Sequence, residues 1–136
     1  MTGEFHRRTF RWRNGVFGLL IFMAAACSTN SVSPAEPLPS LIRECETHTA
    51  RVCGTWTRNK GTSTYSATWA QGSIATITPV RWSEDMIEFE RRDSEGPTPT
   101  MQARYLAIRN GNTVSFGQVR WTNDGLTIFG TWDASW

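Results

Sequence analysis

The chain has 136 residues, three cysteines and a formal net charge of +2, which is enough for one compact domain and too little for two large ones. The positive charge is concentrated at the start. Residues 1–26 contain four arginines and one glutamate, whereas the rest of the chain carries a net charge of −1. The body therefore has no basic excess to neutralise phosphates, and we expect no nucleic-acid partner.

Residues 1–26 have the order of an export signal peptide. An arginine-rich head precedes the apolar run 16–26, and this run is about half the ~20 residues that a membrane-spanning helix needs. The run ends in Ala24 to Cys27 (AAAC), which resembles a bacterial lipobox, although the family pattern usually has Leu where Ala24 stands. The resemblance implies cleavage before Cys27 and attachment of fatty acyl chains such as palmitate to that cysteine, so that the chain is a membrane-anchored lipoprotein.

Two neighbouring motifs concern the export route and the destination. Residues 7–10 (RRTF) are similar to the core of a twin-arginine motif, which leaves both the general and the twin-arginine export routes open. Ser28 stands where enteric lipoproteins retained in the inner membrane have Asp, and this resemblance implies the outer membrane, facing the periplasm. The alternative is an ordinary secretory signal that leaves Cys27 as a free thiol.

The segment after the signal divides into two parts. Residues 27–40 combine three prolines with many small polar residues, which predicts a disordered, flexible tether. In residues 41–53 the apolar spacing predicts a short turn of helix before Gly54. Cys45 and Cys53 of an exported chain predict a disulfide. A zinc site formed by these cysteines and His48 is the alternative; it lacks a fourth ligand, and we expect neither a metal nor another cofactor.

Residues 54–136 alternate β-branched or aromatic residues with polar ones, which predicts an all-β domain. Short turn sequences separate the predicted strands, so we expect an antiparallel meander, and the similarity of residues 80–89 to 119–129 favours closure into a small barrel or curled sheet. Pro79 predicts a bend and Gly117 a bulge. The predicted strands are 54–58, 64–70, 73–82, 86–92, 102–109, 113–121 and 126–136.

Alternation along these strands also predicts which side chains face the core. The opposite, solvent-exposed faces carry charged residues, among them Glu88, Glu90 and Arg104, and we interpret the carboxylates between Glu84 and Glu95, Asp93 included, as solvated partners of arginine. The predicted core positions are Tyr65, Ala67, Trp69, Ile87, Phe89, Ala103, Tyr105, Ala107, Ile128, Gly130, Trp132, Ala134 and Trp136.

Short fragments of the body resemble one known group of barrels. Residues 54–56 and 130–132 both read GTW, and they are similar to the opening strand of avidin-type ligand-binding barrels. The resemblance covers these fragments alone and implies a barrel that binds a ligand. The polar pocket residues of avidin have no counterpart that aligns, so we do not expect biotin binding.

The residues after Gly54 include no histidine and no cysteine, so they offer no pair of nucleophile and base, and we expect no enzyme. Trp82 and Trp121 stand at strand ends beside Arg81 and Arg120, where loops present binding residues on a rigid scaffold. We predict that these four residues bind an envelope protein or a glycan. The alternative is a small apolar-ligand barrel lined by Trp69, Tyr105 and Trp132, and a carboxylate-based hydrolase ranks third.

Overall fold

The computed structural model describes residues 36–136. These residues form an all-β domain in which eight antiparallel strands close into a barrel. The predicted signal peptide 1–26, the predicted lipidation site Cys27 and residues 28–35 of the predicted tether lie outside the described residues. No helix of the described part is long and apolar enough to cross a membrane. The strands are β1 (Leu41–Thr47), β2 (Arg51–Arg58), β3 (Tyr65–Trp69), β4 (Ile74–Trp82), β5 (Met86–Glu95), β6 (Gln102–Ile108), β7 (Thr113–Asn123) and β8 (Leu126–Ser135).

Each strand pairs with the next along the chain, and β8 pairs with β1 to close the barrel. The predicted antiparallel barrel is confirmed, and seven of its strands follow the predicted ones closely. The connections alternate between two ends, which we name by their residues. The tether end consists of residues 36–40 and the turns 59–64, 83–85 and 109–112. The far end consists of the turns 48–50, 70–73, 96–101 and 124–125.

The predicted helical turn in residues 41–53 is wrong, because Leu41–Thr47 is strand β1 and hydrogen-bonds to strands on both sides. Ile42, Glu44 and Glu46 face the interior and are buried. Two of these three inward residues are charged, so the alternation of apolar and polar residues that marks the other strands is hidden here. The barrel accordingly begins at Leu41 rather than at Gly54.

The predicted disulfide is confirmed. Cys45 and Cys53 lie directly opposite each other on β1 and β2, and their sulfurs are bonded. The bond occupies both sulfurs, so the zinc site with His48 is wrong as long as the disulfide is intact. The imidazole Nδ1 of His48 instead lies 3.0 Å from the carbonyl oxygen of Phe129 on the neighbouring strand β8.

The interior of the barrel is filled with aromatic rings. The Trp56 ring lies 5.2 Å from those of both Phe89 and Tyr105, measured between centroids, and Tyr105 lies 5.2 Å from Trp132. Burying these large side chains supplies the apolar area that a domain of this size needs. Ten of the thirteen predicted core positions are buried, whereas Gly130 and Trp136 are half-buried and Ile128 is exposed.

Two irregularities shape the barrel wall as the sequence predicts. The register shifts between Pro79 and Arg81 in β4 and between Val114 and Gly117 in β7. A Cβ atom at Gly117 would lie 2.0 Å from Nε1 of Trp132. Only glycine therefore lets the Trp132 indole pack flat against the backbone of β7.

Residues 36–40 pack on the tether end, so the prediction of a flexible tether is wrong for these five residues. The guanidinium of Arg109 donates two hydrogen bonds to the carboxylate of Glu36, at 2.6 and 2.9 Å. The Tyr65 hydroxyl donates to the carbonyl of Pro39 at 3.0 Å, and Leu38 packs against the core. The chain therefore meets the barrel at a fixed point.

Candidate binding groove on the barrel surface

The two tryptophans predicted to form a binding surface both pack into the barrel, at opposite ends. Trp82 lies at the tether end, with its ring centroid 5.1 Å from that of Trp136 and 6.0 Å from that of Phe89. Trp121 is buried at the far end, edge-on to His48. The sequence similarity of their two hairpins hides this separation, because β4 ends at the tether end and β7 at the far end.

The two arginines predicted beside these tryptophans are exposed on the outside of the wall. Nη1 of Arg81 lies 3.0 Å from the sulfur of Met86 near the tether end. Arg120 lies on the middle of β7, where it pairs with Arg104 of β6. The four predicted residues are thus not brought together, and no surface of stacked tryptophan rings forms between them. Of the four, only Arg120 lines an outer groove.

This groove lies on the outside of the barrel across four strands and has a volume of about 470 Å³. We call it the β4–β7 groove. It is built from two rows of outward side chains that are paired strand to strand, so that the register of the sheet sets their spacing. One row is Thr78, Glu90, Arg104 and Arg120; the other is Thr76, Arg92, Gln102 and Thr122.

The groove has an excess of positive charge. Arg104 is held by an ion pair with Glu88 beside the groove. Arg92 and Arg120 are exposed, and among residues 36–136 they have no ion pair and no side-chain hydrogen bond. Two guanidinium groups therefore point into the groove with their hydrogen-bond donors free for a ligand.

Sequence reasoning placed Arg104 on the solvent-exposed face but did not identify the groove. Arg92 and Gln102 are paired positions in the two rows of the groove, and these rows can be identified only when the pairings of β5, β6 and β7 are known. Alternation within one strand shows which residues point outward. It does not show which outward residues of different strands are neighbours, so the sequence alone did not indicate Arg92 as a binding residue.

A second cluster of charged residues lies inside the barrel. The guanidinium of Arg91 donates to both carboxylate oxygens of Asp93, at 2.5 and 2.9 Å, and to Glu46 at 2.8 Å. It also lies 3.5 Å from the centre of the Trp69 ring. The Tyr105 hydroxyl donates to Glu46. Asp93 was predicted to be solvated, and this is wrong, because β5 continues past Arg92 and turns Asp93 inward.

Glu44 is the least compensated member of this cluster. It is 2% exposed, accepts a hydrogen bond from the Trp69 indole through Oε1, and has no hydrogen-bond partner for Oε2 among the described residues. Burial, with the nearby charge of Glu46, raises the pKa of Glu44 to about 9. Burial also raises the pKa of Glu46. Glu44 is therefore protonated at neutral pH.

These buried acids do not have the arrangement of a glycosidase site, in which two carboxyl groups face one substrate cleft. Glu44 borders a cavity of about 590 Å³ on the outer side of β1 to β3 and β8, and Glu46 is not among its lining residues. Glu46 instead borders a cavity of about 190 Å³ at the far end, beside His48 and Trp121. The arrangement fits a cluster that joins β1 to β5 and β6 inside the barrel.

No family model, no curated protein and no solved structure matches this chain. A function for the domain is therefore inferred from the chemistry of its own surfaces, of which the β4–β7 groove carries the most definite charge pattern.

Proposed function

We propose that the chain is a non-enzymatic binding domain of the bacterial cell envelope, and that its β4–β7 groove binds an acidic glycan. A lipid on Cys27 holds it at the outer membrane on the periplasmic side. The observation that carries the proposal is a pair of exposed arginines, Arg92 and Arg120, that have no ion-pair partner among residues 36–136 and lie in one groove of about 470 Å³. The lipid anchor is supported by the lipobox-like Ala24 to Cys27.

The charge of the groove favours an anionic ligand. Besides Arg91, whose side chain lies inside the barrel, its lining includes three arginines and one glutamate. Arginine recognises carboxylate, sulfate and phosphate groups because its planar fork of donors matches their oxygens. A polymer with regularly spaced carboxylates would place successive anions opposite Arg92 and Arg120.

The rest of the lining favours a glycan over a protein. Three threonines and Gln102 supply hydroxyl and amide groups, which both donate and accept hydrogen bonds as sugar hydroxyls do. The two rows contain no tryptophan, tyrosine or leucine, whereas the energetic centre of a protein interface is usually built from aromatic or apolar anchors. Recognition of the glycan then rests on charge and hydrogen bonds rather than on stacked rings.

The packing of the interior supports an outer binding site over the alternative of an apolar-ligand carrier. Trp69, Tyr105 and Trp132, which that alternative assigns to the lining of a cavity, are buried in contact with other core residues. An apolar ligand would have to displace rings that already pack at the density of a core. This argument leaves the outer wall as the binding surface.

The function is tested by titrating the purified full chain with polygalacturonate, whose sugars carry carboxylates, and with dextran, which is neutral. We expect heat of binding with polygalacturonate and none with dextran. Binding of polygalacturonate should be weaker at high salt, because exposed charges are screened. Equal binding of both polymers, or of neither, contradicts the proposal. The anchor is tested separately by Cys27→Ser, which is expected to move the protein out of the membrane fraction.

A further inference from the structure

Large apolar side chains are exposed on the outside of β6 and β7 at the tether end. Phe116 is 89% exposed, Ile108 75% and Leu106 40%. The bulge in β7 turns both Ser115 and Phe116 outward. We call Leu106, Ile108 and Phe116 the tether-end patch. Contiguous exposed apolar residues of this kind mark a surface that contacts a protein or a membrane.

The patch lies beside the point where the tether meets the barrel. Ile108 precedes Arg109, and the Arg109 guanidinium is bonded to the carboxylate of Glu36. Glu36 is nine residues after Cys27, a distance of at most about 30 Å along an extended chain. An acyl chain on Cys27 therefore keeps this end of the barrel within reach of the bilayer.

The charges of the tether end nearly balance, so they neither attract nor repel a charged surface strongly. The basic side chains there are Arg58, Lys60, Arg81 and Arg109, and the acidic ones are Glu36, Glu84 and Asp85. Contact through this end is therefore carried by the apolar side chains. A lipid surface of zwitterionic head groups has the chemistry that matches such an end.

We propose that the tether-end patch docks against the bilayer that holds the Cys27 lipid, with Phe116 and Ile108 at the boundary of head groups and acyl chains. This inference rests on the lipid anchor of the proposed function and does not depend on what the groove binds. The lipid anchor on its short tether and the apolar patch are two contacts of the domain with one bilayer. Each contact raises the effective concentration of the other at that surface.

Docking in this way orients the groove. Along the outer side of β6 and β7, the patch at the tether end is followed by Arg104 and Arg120 and then by Gln102 and Thr122, which lie closer to the far end. With the tether end on the bilayer, the groove lies on the side wall of the barrel, farther from the lipid than the patch. The domain would thus present its arginines to a polymer beside the membrane surface.

The test uses tryptophan as a reporter of lipid contact. The full chain, purified from membranes, is prepared as Phe116→Trp and as Leu126→Trp, and is reconstituted in phosphatidylcholine vesicles with or without brominated acyl chains. Leu126 is the control, because it is 72% exposed and lies at the far end, beside the turn that joins β7 and β8. Both substitutions keep an exposed apolar side chain, so neither is expected to disturb folding.

Bromine quenches only tryptophans that it contacts, and the emission of the parent protein is subtracted. We expect the added emission of Phe116→Trp to be quenched at least twofold more than that of Leu126→Trp. Equal quenching, or none, overturns the proposed docking. Sedimentation with the vesicles is measured first, so failure to sediment identifies a failure of the lipid anchor, whereas sedimentation without selective quenching identifies a failure of the patch. Cross-linked dimers through Phe116 would assign the patch to a second copy instead.

Discussion

Arg104 and Arg120 lie directly opposite each other on β6 and β7, and both side chains point to the outside of the barrel. Like charges at directly opposed positions of a sheet are unfavourable by a few tenths of a kcal/mol to about 1 kcal/mol. One neighbouring carboxylate, Glu88, pairs with Arg104 and leaves Arg120 without a partner among the described residues. A negatively charged ligand would remove the remaining repulsion.

The first prediction concerns this pair. We expect Arg120→Gln to raise the free energy of unfolding by up to about 1 kcal/mol, because it removes the repulsion from Arg104, and to weaken binding of polygalacturonate. Urea unfolding and calorimetry of the same samples measure the two effects. Arg43→Gln, at an exposed position on β1, is the control and is expected to change neither. A loss of stability in Arg120→Gln would show that the side chain has a structural role.

The second prediction concerns the pH dependence of stability. The pKa of Glu44 in the folded chain is about 9, above its ordinary value of 4.5. Between these pH values the folded state holds a proton that the unfolded state has lost, so the free energy of unfolding falls as pH rises. The slope approaches ~1.4 kcal/mol per pH unit for one proton. Glu46, whose pKa is also raised, acts in the same direction.

Glu44→Gln is expected to flatten this dependence and to make the domain more stable than the parent at pH 8.5, because a neutral amide replaces an acid that must keep its proton inside the barrel although it is ionised in the unfolded chain. Urea unfolding at pH 5.5 and pH 8.5 measures the change. The control is Glu90→Gln on the outer wall, which should keep the parent slope. If Glu44→Gln and the parent show the same slope, ionisation of Glu44 does not limit stability at high pH.

The third prediction concerns the disulfide. Replacing Cys45 and Cys53 together by alanine is expected to lower the free energy of unfolding by about 2 to 3 kcal/mol, because the bond closes a short loop in the unfolded chain. Thermal unfolding with and without reductant measures the effect. Reductant should lower the melting temperature of the parent and leave that of the double variant unchanged. A response of both proteins to reductant would mean that another thiol is responsible.

The fourth prediction concerns the bulge in β7. Gly117→Ala places a methyl group against the Trp132 indole, and the required shift of the ring or the strand is expected to cost about 1 to 3 kcal/mol. Gln118→Ala, at the next and outward position, should change stability by less than about 0.5 kcal/mol. Near-ultraviolet circular dichroism reports the tryptophan packing directly. An unchanged spectrum for Gly117→Ala would contradict the packing described.

The strands β2 to β8 could be predicted from the sequence because most of their inward residues are apolar and their turns contain Gly, Asn or Asp. β1 could not, since Glu44 and Glu46 face inward and break the apolar alternation. The inward position of Arg91 could not be predicted either, because the residue that compensates its charge, Glu46, is 45 residues away in the chain. Local patterns do not contain such long-range pairing.

The groove could be predicted only in part, for a related reason. Arg120 was expected to bind a ligand together with Trp121, its neighbour in the chain. In a strand, however, consecutive side chains point to opposite faces, so Trp121 enters the core while Arg120 stays outside. The neighbours that matter to Arg120 are Arg104, on the adjacent strand β6, and Glu90, one strand further on β5, and their proximity follows from the register.

The most direct test of the account is the affinity of the full chain for polygalacturonate when Arg92 and Arg120 are both replaced. Each charge-assisted hydrogen bond contributes roughly 1.5 to 3 kcal/mol, so Arg92→Ala with Arg120→Ala is predicted to raise the dissociation constant at least a hundredfold at low salt. Arg43→Ala is predicted to leave it within twofold of the parent value. A double variant that binds the polymer as tightly as the parent would contradict the assignment of the β4–β7 groove as the binding site.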